Sequence, residues 1–187
     1  MLALMMIIGG VVLRLVPHLP NFAPISATAL FGGAYLNKRF ALLIPLAAVA
    51  ISDYLLLYVN PFRVPIVDFS RIYPPDAMFH STTFYVWGSF MISGLIGLWL
   101  RKRKKPVYII GASLATSVQF FLITNFGVWA AGAYARDLSG LAQSYIMGLP
   151  FFRGTFFGDL FYTATFFGAY ELALKFAEKP KLATARN

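Results

Sequence analysis

Four predominantly apolar stretches, residues 40–59, 81–100, 107–133 and 151–176, are separated by segments that carry charged residues. Crossing ~30 Å of hydrocarbon takes about 20 residues of α-helix, and each stretch reaches that length. Composition points the same way: 59% of the 187 residues are apolar, 12% are charged, and the mean hydropathy is +0.69. A water-soluble domain carries more charge than this to face its solvent. The formal net charge of +9 would suit a nucleic-acid surface if the basic residues gathered on one folded face. They punctuate the apolar stretches instead, so no nucleic-acid partner is expected. The chain has no cysteine, which excludes disulfides, thiolate nucleophiles and thiolate metal sites.

The amino-terminal region differs in kind. Residues 1–13 are uncharged but too short for a straight crossing, and Arg14 is followed by the breaker-rich Pro17-His18-Leu19-Pro20-Asn21-Phe22-Ala23-Pro24. A cleaved signal would need a basic start, which is absent, although Ala27 and Ala29 offer an A-x-A pattern. The preferred reading is a short first helix, an irregular proline-rich turn, and a second short helix over residues 25–36. Non-helical backbone at bilayer depth survives only against protein or a water-filled cavity, so the turn is a candidate rim of a binding site.

Basic residues set the orientation. Lys38 and Arg39, then Arg101 through Lys105, then Lys175, Lys179, Lys181 and Arg186 fall in alternate connections, whereas Arg63, Arg71 and Arg136 fall in the others. The richer group belongs in the cytoplasm. These features predict an all-α integral membrane bundle of six transmembrane helices, with both termini cytoplasmic. Residues 1–178 make a single transmembrane domain and 179–187 a flexible cytoplasmic tail. A five-span alternative, with residues 1–36 as one broken crossing, would place the amino terminus outside. The outer loops are residues 60–80, with Pro61, Pro65, Pro74 and Pro75, and residues 134–148, with Arg136 and Asp137.

Ionisable groups inside a span are costly, about 2.5–3.5 kcal/mol each on insertion scales, and so mark candidate sites. Asp53 and Asp159 both fall about two turns from the outer ends of their predicted spans, facing a cavity open to the outside. Helical spacing puts Thr155, Tyr162, Thr163, Phe166 and Tyr170 on the face of Asp159. Either carboxylate has a bland alternative, an ion pair with Arg14 or Arg153 that holds the bundle together. Glu171 stands four residues before Lys175, the spacing of a local intrahelical pair. Gly154 with Gly158, Ala29 with Gly33, and Ser93 with Gly97 have the small-x-x-x-small spacing that lets backbones approach. Asn125, with Gln119 and Thr124 nearby, is positioned to read a polar ligand or to cross-link helices. His18 and His80 lack the further ligands that a metal site needs. No phosphate-binding glycine loop, zinc-protease motif or serine-hydrolase elbow is present, so no cofactor and no enzymatic activity are expected.

Arg14 through Tyr35, with its Pro20-Asn21-Phe22-Ala23-Pro24 and Leu30-Phe31-Gly32-Gly33 segments, resembles a family of small bacterial membrane proteins of unknown function. Thr124-Asn125-Phe126-Gly127 and Pro150-Phe151-Phe152-Arg153-Gly154-Thr155 extend the likeness over nearly the whole chain. That family is in turn similar to the substrate-capture S components of energy-coupling factor vitamin transporters. The resemblance implies a multi-pass protein of the bacterial cytoplasmic membrane, working in the lipid bilayer with an ATPase pair and a transmembrane scaffold.

The function expected on these grounds is capture of a small water-soluble nutrient such as a vitamin. Asp53 and Asp159 would take a cationic or hydrogen-bond-donating group, Asn125 would orient it, and Trp129 and Tyr162 would stack on it. Thr163, Arg14 and Asn21 complete the candidate site. Two rivals stay open: a stand-alone ion-coupled carrier or channel, and a non-transporting membrane partner or assembly protein.

Overall fold

The computed structural model describes residues 1–62 and 66–184, with side chains described as far as Ala177. Arg63 and Pro65 of the first outer loop, and Arg186 at the end of the tail, lie outside the described residues. Six α-helices follow one another: α1 (Leu2–Leu15), α2 (Ile25–Tyr35), α3 (Leu43–Leu55), α4 (Thr83–Leu100), α5 (Pro106–Ala130) and α6 (Leu138–Thr184). A short 3-10 turn, Pro75–Met78, interrupts the loop between α3 and α4. The described residues contain no strand, only a bridge between Val59 and Val67.

Local chemistry explains several of the boundaries. Val16, the residue before Pro17, is extended and closes α1, because a following proline disfavours the helical conformation. Lys105 is extended for the same reason, and Pro106 opens α5 where its missing N–H costs nothing. α6 starts at Leu138, earlier than the sequence suggests. Asp137 accepts the Gly140 N–H at 2.8 Å and the Ser139 hydroxyl at 2.8 Å, capping the helix start. The first turns then dock on α5, with the Ser144 hydroxyl donating to the Asn125 carbonyl and the Tyr145 hydroxyl to that of Leu122. Most of the predicted second outer loop is therefore helical, and Pro150 lies inside α6.

α2 is the axle of the molecule. Every residue of it except Tyr35 is buried, and it packs against all five other α-helices. Its contact with α4 is a backbone contact: a Cβ built on Gly33 would lie 2.1 Å from the Gly94 carbonyl oxygen, and one on Gly97 would lie 2.1 Å from that of Leu30. The two small-residue pairs on α2 and α4 thus face each other. Arg101 then donates to the Gly33 carbonyl at 3.2 Å and to that of Leu36, satisfying the carboxyl end of α2.

On α4 and α5 polar side chains point inward and apolar ones outward. Ser89 and Ser93 on α4, and Ser113, Thr116 and Ser117 on α5, are fully buried, while Ile92, Leu95, Trp99, Ile110, Val118 and Leu122 are exposed. Two helices, α4 and α5, are long and apolar enough to cross a membrane. Only 39% and 22% of their apolar windows are buried within the fold, unlike the core helix of a water-soluble protein. α1 and α3 are apolar but shorter, at 14 and 13 residues.

Candidate functional site

The site is organised by the turn between α1 and α2. Asn21 adopts the left-handed conformation, φ 58°, which asparagine tolerates better than most residues, and the Phe22 N–H closes the turn on the Leu19 carbonyl at 3.0 Å. The turn rests on α6. A Cβ on Gly154 would lie 2.3 Å from the Pro20 carbonyl oxygen, and one on Gly158 would lie 3.0 Å from the Phe22 Cα. Phe22 packs on Phe161 and Tyr162, with ring centroids 5.6 and 5.5 Å away. The Gly154-x-x-x-Gly158 spacing thus seats an irregular turn, not a second helix.

Two adjoining cavities open beside this turn. One, of about 140 Å³, is lined by Arg14, Asn21, Ser26, Phe120, Thr155 and Asp159, among others. The second, of about 150 Å³, is lined by Phe121, Thr124, Asn125 and Phe152 together with Asn21, Phe120 and Thr155, which the two share. Asn21 is exposed at the rim, and Asp159 is only 2% exposed at the wall.

The two intrahelical carboxylates have different surroundings. Asp53 is ion-paired to Arg14 (Nη1 to Oδ1, 2.7 Å) and accepts the Trp87 indole N–H at 2.7 Å, while Arg14 also donates to the Ser52 hydroxyl. Asp159 accepts the Ser117 hydroxyl at 2.8 Å, and the Ser26 hydroxyl faces it. Among the described residues no cation lies within salt-bridge distance of Asp159. A buried carboxylate held only by hydroxyls is costly to keep charged without a partner. Its depth also differs from the sequence expectation. Because α6 starts at Leu138, Asp159 lies opposite Ser117, near the middle of α5 and about 20 Å from its carboxyl end at 1.5 Å per residue.

Of the residues singled out from sequence, Arg14, Asn21, Asn125 and Asp159 are brought together on the cavity walls. Asp53, Trp129, Tyr162 and Thr163 are not among the lining residues. Trp129 donates to the Ala135 carbonyl at 2.9 Å and packs on Phe126. Tyr162 is packed between Phe22 and Phe166. Arg153 is exposed, and Glu171 accepts the Tyr35 hydroxyl at 2.6 Å. His18 contacts the Val16 carbonyl and His80 the Thr82 hydroxyl, and no group of three potential metal-ligating His, Cys, Asp or Glu residues occurs among the described residues. Ser26, Ser117 and Phe120 escaped the sequence reading. Ser113, Thr116 and Ser117 share one face of α5 at helical spacing, and that hydroxyl stripe was the available signal.

The fold and site together define an all-helical protein with two helices able to cross a membrane and a partly polar cavity walled by a buried carboxylate. The chain belongs to a family of unknown function (DUF6580), whose sequence profile matches residues 1–182. No curated protein and no solved structure matches the chain, and the family match carries no link to energy-coupling factor S components.

Proposed function

We propose that this protein is a polytopic membrane protein of six bilayer-embedded helices, with both termini cytoplasmic, that captures a small polar solute from the outer side. The distribution of side chains supports the membrane reading: small hydroxylated residues are buried on the inner faces of α4 and α5, while large apolar residues face outward on α1, α4, α5 and α6. α2, with 11 residues, is shorter than a full straight crossing and is sheathed by its neighbours, the condition under which a short span with irregular backbone beside it can sit at bilayer depth. The cavities lie toward the carboxyl end of α5, away from the basic Arg101–Lys105 connection that marks the cytoplasmic side.

One observation carries the capture reading: a buried carboxylate with no cationic partner among the described residues stands at the wall of a polar cavity. Asp159 accepts a cationic or donor group of the solute, Asn21 and Asn125 fix its orientation, and Phe120, Phe121 and Phe152 supply apolar faces. Pockets that combine apolar walls with a few convergent polar groups recognise small metabolites in this way. The test is ligand-dependent thermal stabilisation of the chain in nanodiscs across a panel of small water-soluble metabolites, including vitamins. Stabilisation by amine- or amide-bearing members, lost in Asp159→Asn and weakened in Asn125→Ala, is the expected result. A parent that responds to nothing, or variants that respond as the parent does, would remove the proposal. Co-purification of an ATPase pair and scaffold would make the protein S component-like, whereas solute uptake by the chain alone in liposomes would make it a carrier.

A further inference from the structure

α5 and α6 run antiparallel, joined by residues 131–137, and near the middle of α5 the Ser117 hydroxyl ties them together, donating to the Asp159 carboxylate at 2.8 Å and to the Ser113 carbonyl at 3.1 Å. Ser113 lies one helical turn from Ser117 on α5, and Thr163 one helical turn from Asp159 on α6. Both are sealed from solvent, at 0% and 2% exposure, and neither hydroxyl has a hydrogen-bond partner among the described residues. The Ser113 carbonyl is occupied, accepting from the Thr116 and Ser117 hydroxyls, but its own hydroxyl is not.

Three groups with unmet demands thus sit within one helical turn of the Ser117–Asp159 bond along their own helices: the Asp159 carboxylate and the two orphaned hydroxyls. A trapped water alone would leave the charge and a proton alone would leave the hydroxyls, so the position calls either for both together or for one cation. A bare cation answers all three, since hydroxyl and carboxylate oxygens are the hard ligands that alkali and alkaline-earth ions prefer. Divalent ions of that kind recruit several carboxylates, and here one is present without any second acidic, histidine or cysteine ligand grouped nearby among the described residues.

We infer that Asp159, Ser117, Ser113 and Thr163 form a binding site for a dehydrated monovalent cation of the sodium class in the α5–α6 interface. The site shares Asp159 with the solute cavity, but Ser113 and Thr163 lie outside the cavity lining, and the ion site is testable with no solute present. Its place near the middle of α5 is where membrane proteins that couple ions to solutes hold the ion.

The experiment is thermal unfolding of the purified chain in detergent, without solute, as sodium, lithium or potassium chloride replaces choline chloride at constant ionic strength. A saturable rise of Tm with sodium, absent with choline, is expected. Asp159→Asn abolishes the rise. Ser113→Ala and Thr163→Val each raise the half-saturating sodium concentration about tenfold, the scale of one lost charge-assisted contact. In choline alone these two variants unfold no earlier than the parent, because each removes an orphaned hydroxyl, and they keep the test decisive if Asp159→Asn fails to fold. Identical curves in all four salts, or unchanged sodium dependence in both hydroxyl variants, would overturn the site. A Tm that follows pH but no cation would assign the position to a proton instead. Either failure would leave solute binding, read separately in nanodiscs, standing or falling by itself.

Discussion

Removing one partner of the Arg14–Asp53 pair and then both gives the sharpest measure of what holds α1 to α3. The contact is 2.7 Å between Nη1 and Oδ1, and the side chains are 16% and 15% exposed, so solvent screens the pair only in part. With charge centres about 4 Å apart and an effective dielectric constant of about 20, the attraction amounts to about 4 kcal/mol. Asp53→Leu forfeits that attraction and strands both the guanidinium and the Trp87 N–H, for an expected loss of about 4–5 kcal/mol. Arg14→Met leaves the carboxylate its Trp87 donor and should cost about 3–4 kcal/mol. The double variant, in which only the Trp87 donor is orphaned, should lose about 1–3 kcal/mol, for a coupling of several kcal/mol. Equilibrium unfolding in mixed micelles, followed by helical circular dichroism, supplies the four stabilities. Trp87 fluorescence reports whether the carboxylate has left the indole. If the single losses add to within about 0.5 kcal/mol of the double, the pair is not coupled and the reasoning fails.

Two further predictions concern backbone contact and helix capping. Gly97→Ala should destabilise the fold by at least the ~1–3 kcal/mol of an overpacked core, because its Cβ would strike the Leu30 carbonyl and not a yielding side chain. Gly9→Ala, within α1 and with nothing within 4 Å of the new Cβ, should stabilise by about 0.5–1 kcal/mol in the same unfolding assay. The Asp137 carboxyl sits below its ordinary range because the Gly140 N–H, and then the Ser139 hydroxyl, bond its ionised form. A lowered folded pKa means that the cap is intact above the ordinary carboxylate pKa of about 3.9 and is lost as pH falls below it through the folded value. Hydrogen exchange at residues 138–142 should quicken in that acid range for the parent, while in Asp137→Asn it should show no such acid step.

Local sequence chemistry determined a good deal. Pro17, Pro20 and Pro24 mark the turn because proline fixes its own backbone and restricts the residue before it, and the turn lies between α1 and α2 as those residues require. The apolar runs and the basic Arg101–Lys105 break locate α4 and α5 to within a few residues, since hydropathy and length are properties of contiguous chain. Other features depended on which helical faces meet. The start of α6 was hidden because its first turns gain their partners, Asn125 and Leu122, from α5 and not from neighbours in sequence. Likewise, Asp53 and Asp159 are both acids flanked by apolar residues, and nothing in their flanks separates them. Helix rotation and register gave Asp53 an arginine and an indole, and gave Asp159 only hydroxyls beside an open cavity. Electrostatic partnership is settled over a few ångströms in space, and residues that close can lie far apart along the chain.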